Sequence, residues 1–117
     1  MNLSVVLLNW NGKTLLKKFL PNLIQYTPNS SIYVVDNASD DNSMKYLQKF
    51  HNNIKVIRLK RNIGYAKAYN HALKKIDSDV YCLINNDIIV ILPLSFTNIF
   101  VVIKFILIIG MSINWYI

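Results

Sequence analysis

Four short polar clusters interrupt a chain that is otherwise largely apolar: "NWNG" at residues 9–12, "DNASDD" at 36–41, "KRNIG" at 60–64 and "NND" at 85–87. Carboxamides, carboxylates and cations of this kind supply the donors, acceptors and charges that hold a polar ligand. Turn formation alone favours Asn, Asp and Gly, and it accounts for any one cluster taken singly. Four in succession, each behind an apolar run, point to a shared site. The charge balance is consistent with an anionic partner: 13 Lys and Arg face 6 acidic residues, all Asp, for a net charge of +7 and a pI near 9.6. Such a balance suits phosphate-bearing ligands, nucleic acid or an anionic membrane surface. Nucleic acid ranks last, because no basic stripe with interleaved aromatics is present.

The elements that must position these clusters are legible from periodicity. Apolar runs at residues 3–8, 32–35, 54–59 and 80–84 are rich in Val, Ile and Leu, as strands covered on both faces should be. Between the first two, Leu15, Leu16, Phe19, Leu20, Leu23 and Ile24 make one apolar helical face, which Pro21 is expected to kink or restart. A second helix is expected from Asp40 to Ser43 onward, burying Met44, Leu47 and Phe50. A third follows Gly64, with Tyr65, Tyr69, Ala72, Leu73 and Ile76 on its buried side and Lys67, Lys74 and Lys75 on its solvated side. Strand and helix in alternation predict an α/β fold around a parallel sheet. Parallel strands deliver their carboxyl ends to one edge, so the four clusters should converge there.

At 117 residues, 53% apolar and 16% charged, the chain has the length of one domain, and its first 87 residues read as folded. The lone cysteine, Cys82, lies in an apolar run and reads as a small, reduced core residue. The amino terminus has no positive region and too short an apolar run for a signal peptide, so a cytoplasmic location is expected.

"SVVLLNWNG", "IYVVDNASDDNS", "KRNIGYAKAYNHAL" and "VYCLINNDI" resemble, in order and spacing, successive blocks of the nucleotide-binding half of glycosyltransferase family 2, whose members have the Rossmann-like GT-A fold. The resemblance covers residues 3 to about 88. It implies transfer of a sugar from a nucleotide-diphosphate donor to an acceptor hydroxyl with inversion, in the building of cell-surface glycans, with a glycan or lipid-linked acceptor.

It further implies that Asn9, Trp10 and Asn11 lie beside the nucleoside, with Trp10 offering a flat face to the base. Core filling is the competing reading of Trp10. Asp36 would accept a hydrogen bond from the base, with Asn37 and Ser39 completing its loop; a turn or capping role is its alternative. Arg61 and Asn62, beside Lys60, would approach the base and phosphates, with Arg61 able to fork onto a phosphate. Gly64 would give the turn into the next helix, and Asn70 matches a family asparagine, followed by Ala72 where a glycine is usual. Asn86 and Asp87 fall in the metal motif, where Asp87 would hold Mn²⁺ or Mg²⁺ against the diphosphate. A lone Asp behind an apolar strand, taken without the resemblance, is a turn residue.

Inverting transfer also needs a general base, and the family supplies it downstream of the metal motif. Here no Asp, Glu or His follows Asp87. Residues 1–88 are therefore expected to form the donor-binding half and residues 89–117 an apolar tail. Between Ile88 and Ile113 the only charge is Lys104, but the apolar core that contains it, residues 99–111, is 13 residues long and short for a bilayer span. Three readings compete for the tail: sequence foreign to the fold after truncation or frameshift, a membrane-associated segment with Trp115 and Tyr116 at the interface, or a cover for the sheet. Truncation leads, and membrane association is second. The alternative to a glycosyltransferase is a noncatalytic basic module at the cytoplasmic face of a membrane, held by the tail and lysines.

Overall fold

Side chains of a strand alternate between two faces, so a strand buried on both must be apolar throughout. The first run meets that demand. In the computed structural model, which describes residues 2–87, it forms β1 (Leu3–Asn9), followed by α1 (Lys13–Tyr26), β2 (Ser31–Asp36), α2 (Ser43–Leu47) continued by a 3-10 turn at Gln48–Phe50, β3 (Ile54–Arg58), α3 (Tyr65–Leu73) and β4 (Val80–Asn85). All strand pairs are parallel, in the order β3-β2-β1-β4.

Val5 and Leu7 face one core with Leu16, Leu20 and Leu23 of α1 and Leu47 of α2, whereas Val6 faces the other with Ala68, Tyr69 and Ala72 of α3. The split follows from connection handedness. β1, β2 and β3 advance in one direction with α1 and α2 on one side; the step from β3 back to β4 reverses direction, and a right-handed crossover then places α3 on the opposite side. The reversal leaves a switch point between β1 and β4, where chains leave adjacent strand ends in opposite directions.

Three expectations need correction. Among the described residues only β1 and β2 are covered on both faces; β3 and β4 are the outer strands, with Val56 and Leu83 exposed. Pro21 does not restart its helix, since α1 runs through it as one element. Leu16, Leu20 and Leu23 anchor the helix on both sides of Pro21, while Lys17 and Pro21 are exposed, so the carbonyl that loses its partner can turn to water. Tyr65 is exposed rather than on the buried side of α3, because it begins the helix and its ring packs edge-on against Tyr69 at 4.9 Å.

The two helices on the first face share a cap. Asp41 accepts a hydrogen bond from the Lys13 amide at the start of α1, through Oδ2 at 2.8 Å, and another from the Ser43 amide at the start of α2, through Oδ1 at 3.0 Å. The Ser43 hydroxyl donates to the same Oδ1. No helix among the described residues is long and apolar enough to cross a membrane. Residues 88–117, which contain the apolar tail, lie outside the described residues.

Burial opposes ionisation of Asp41, but the bonds from the Ser43 hydroxyl and the Lys13 and Ser43 amides outweigh it and hold the carboxyl below its ordinary value of 3.8. The charged form is therefore favoured by folding, and that stabilisation is present above pH 3.8 and lost as pH falls through the lowered folded value. Asp41→Ala should cost about 0.5–2 kcal/mol at neutral pH. In urea unfolding followed by circular dichroism, the gap between variant and parent should narrow below pH 3.8.

Candidate functional site

Register brings the polar strand ends together. Asn9 lies opposite Asp36 across the β1–β2 ladder, and on the other side Leu8 lies opposite Asn85, so Asn86 arrives beside Asn9. Asn9 and Asp36 have no exposed surface. A buried carboxylate is costly unless its oxygens are satisfied, and here Oδ1 accepts from Asn9 Nδ2 at 3.0 Å and from the Ser39 hydroxyl at 2.6 Å, while Oδ2 accepts from the Ser39 amide at 3.1 Å. Arg58 Nε stands 3.9 Å from Oδ2, but its side chain is largely in solvent and contributes little.

Every side-chain polar atom of Asn9, Asp36 and Ser39 is used. Ser39 Oγ gives its one hydrogen to Asp36 and accepts from Asn9 Nδ2 at 3.2 Å and from the Asn11 amide at 2.9 Å. With both Nδ2 hydrogens of Asn9 turned toward β2, its Oδ1 is left facing β4, where Asn86 Nδ2 donates to it at 3.1 Å. Asp36, Asn9 and Asn86 thus form one continuous tie across three strand ends at the switch point.

A second knot secures the loop before α3. Asn37 accepts from the Ile63 amide at 3.0 Å and donates to Asn62 Oδ1 at 3.0 Å and to the Gly64 carbonyl at 3.4 Å; Asn62 Oδ1 also accepts from the Gly64 amide at 2.9 Å. Gly64 has φ of 83°, a region open to glycine. Tyr69 then fastens α3 to the end of β4 by donating to the Ile84 carbonyl at 2.7 Å, and burial pushes its hydroxyl pKa well above the ordinary range, so it stays a donor.

The chain is similar to known proteins in sequence and in fold. The glycosyl transferase family 2 model matches residues 4–91. The chain belongs to glycosyl transferase family 2. Among solved structures, S. aureus TarS 1–349 in complex with UDP is 27% identical, with a TM-score of 0.67 over 74% of this chain and 28% of that one. TarS 1–349 in complex with UDP-GlcNAc is 24% identical, with a TM-score of 0.70 over 91% and 31% of the two chains, and mannosyltransferase PcManGT from Pyrobaculum calidifontis, in complex with GDP-Man and Mn²⁺, is 20% identical, with a TM-score of 0.65 over 74% and 27%. The fold is that of the GT-A enzymes. The chain spans less than a third of the length of each of these three. No curated protein matches it.

Against this family background, the residues expected at the site separate into two kinds. Asn9, Asn11, Asp36, Ser39 and Asn86 form one hydrogen-bonded cluster, and Asn37, Asn62 and Gly64 form the second. Asp36 is sealed inside the first, so in this arrangement it positions Asn9 and Ser39. Trp10 is 57% exposed and belongs to neither core, which removes core filling as its role. Arg61 and Asn70 are exposed, and their side chains stand outside both clusters.

Asp87 is exposed at the turn after β4, next to the Asn86 amide that is tied to Asn9. Among the described residues no group of three or more His, Cys, Asp or Glu could hold a metal ion. One carboxylate does not make a closed cage, but it does fit a hard cation whose shell is completed by water and ligand phosphates.

One residue of the site was not singled out from the sequence. A Cβ on Gly12 would collide with Asn86 Nδ2 and lie 2.5 Å from Asn9 Oδ1, so only glycine lets α1 start this close to the tie. Its signal was present in "NWNG", but a glycine behind a strand reads equally as a turn. Gly12→Ala should destabilise the fold by about 1–3 kcal/mol. In urea unfolding, Gly12→Ala combined with Asn86→Ala should cost less than the sum of the two single changes; strict additivity would mean that the two residues do not meet.

Proposed function

We propose that residues 1–88 bind the nucleotide diphosphate of a sugar donor, and that the protein transfers that sugar to an acceptor hydroxyl with inversion in the synthesis of a cell-surface glycan. The observation that supports this most directly is the Asp36–Asn9–Asn86 tie, which sets the exposed Asp87 and Trp10 at the ends of neighbouring strands β4 and β1. Relatives with this fold bind UDP, UDP-GlcNAc and GDP-Man, the last with Mn²⁺.

In this reading Trp10 presents its ring to the base, and Arg61 contacts a phosphate as a bidentate donor. Asp87 would hold Mn²⁺ or Mg²⁺, which would offset negative charge growing on the diphosphate as it leaves. The buried network does no bond-making; it fixes the Asn86–Asp87 turn so that a ligand meets a preformed edge. The base that deprotonates the acceptor is not supplied by residues 88–117, which contain no Asp, Glu or His. A glycan or lipid-linked acceptor, met in the cytoplasm or at the cytoplasmic face of a membrane, completes the reading.

Titration calorimetry of the purified chain with UDP and GDP, with and without Mn²⁺, tests it. A nucleoside diphosphate should bind more tightly with Mn²⁺, and Asp87→Ala should remove the metal dependence while retaining the metal-free affinity. Trp10→Ala should weaken binding by about 1–3 kcal/mol whether or not metal is present. Absence of heat with every nucleotide would refute donor binding by this chain.

A further inference from the structure

α1 and α2 with its following 3-10 turn border an open pocket of about 250 Å³, lined by Lys13, Lys17, Asn42, Lys45, Tyr46 and Lys49. None of these residues belongs to the Asp36–Asn9–Asn86 tie. Lys13 and Lys17 are four residues apart, as are Lys45 and Lys49, so each segment presents a like-charged pair on one face, an arrangement that weakens a helix unless an anion answers it. Both pairs line the same hollow. No carboxylate lines it, and among the described residues none of the four ammonium groups is ion-paired. Asp41, beside the lining, is already held by the Lys13 and Ser43 amides and the Ser43 hydroxyl. Lys49 stands 5.7 Å over the Tyr46 ring, an attraction that holds its ammonium at the pocket wall.

We propose that this pocket is a second anion site, separate from the strand-end cluster, that takes a chain carrying two or more phosphate groups. Lysine ammonium is a compact charge with three rotatable donors, suited to phosphate oxygens approaching from several directions. Each phosphate would neutralise repulsion within and between the two lysine pairs. Concavity favours a narrow chain over a flat bilayer, because four lysines around a hollow can surround a phosphodiester or polyphosphate strand, whereas a membrane surface would meet only its rim. The inference does not depend on donor binding at Asp87.

The experiment titrates the full chain with tripolyphosphate, following the amides of Lys13, Lys17, Lys45 and Lys49 by heteronuclear NMR and the affinity by calorimetry. Shifts should concentrate at those four residues. Lys17→Gln with Lys45→Gln should lower affinity about tenfold, while Lys67→Gln with Lys74→Gln, an equal loss of charge on α3 and its C-cap, should change it by less than about twofold. Equal losses in the two double variants would reduce the effect to net charge and overturn the proposal. Displacement of tripolyphosphate by UDP and Mn²⁺ would overturn it too, by placing the anion at the nucleotide site. So would binding to phosphatidylglycerol vesicles with none to tripolyphosphate. A chain that fails to bind UDP but meets the lysine-specific expectation would refute the donor reading and leave this one standing.

Discussion

The orientation of one carboxamide governs the functional edge. Asn9 ends the strand in the middle of the tie, fully buried, with a carboxylate on one side and a second carboxamide on the other. A buried Asp36 requires donors, so the Asn9 nitrogen must face β2; its oxygen then faces β4, and Asn86 can only meet it as a donor. Reversing the amide would set an oxygen against a carboxylate and a nitrogen against a nitrogen. From that single choice follow the placement of the Asn86–Asp87 turn and the need for glycine at position 12, where any side chain would enter the space between Asn9 and Asn86.

The loop from Asp36 to Ser43 serves both the network and the helices beside it. Ser39 closes the buried cluster from within this loop, and two residues later Asp41 joins the starts of α1 and α2. Ala38 and Asn42 adopt φ of 64°, an unusual conformation for residues with a side chain, and both flank the polar contacts that the loop must make. Holding the two helix starts together also sets their lysines around one hollow. A constraint that satisfies buried polar atoms therefore shapes a charged surface as well.

Much of the fold was legible because the physics behind it is local. The Val, Ile and Leu runs matched the four strands to within a residue or so at each end, and the apolar spacing of Leu16, Leu20 and Leu23 matched the buried side of α1. Pro21 misled because a proline's cost depends on whether the freed carbonyl reaches water, which is a property of the packed helix. Tyr65 misled because periodicity assigns a face but not where a helix begins. The fates of Trp10 and Asp36 were equally closed to a linear reading: one stays in solvent and the other is wholly enclosed, although both follow strands.

Composition, periodicity and the ordered clusters were enough to indicate an α/β chain with its polar strand ends on one edge of a parallel sheet, and the resemblance of those clusters pointed to the family. Those features are carried by each residue's own chemistry and by neighbours a few positions away. What only the tertiary structure decided was partnership over long separations: Asn9 with Asp36 and Asn86, Gly12 against Asn86, and lysines of α1 against lysines of α2. The reason is that hydrogen-bond direction and steric contact are fixed by register and by the side of the sheet on which each helix crosses, and neither is written in any one segment.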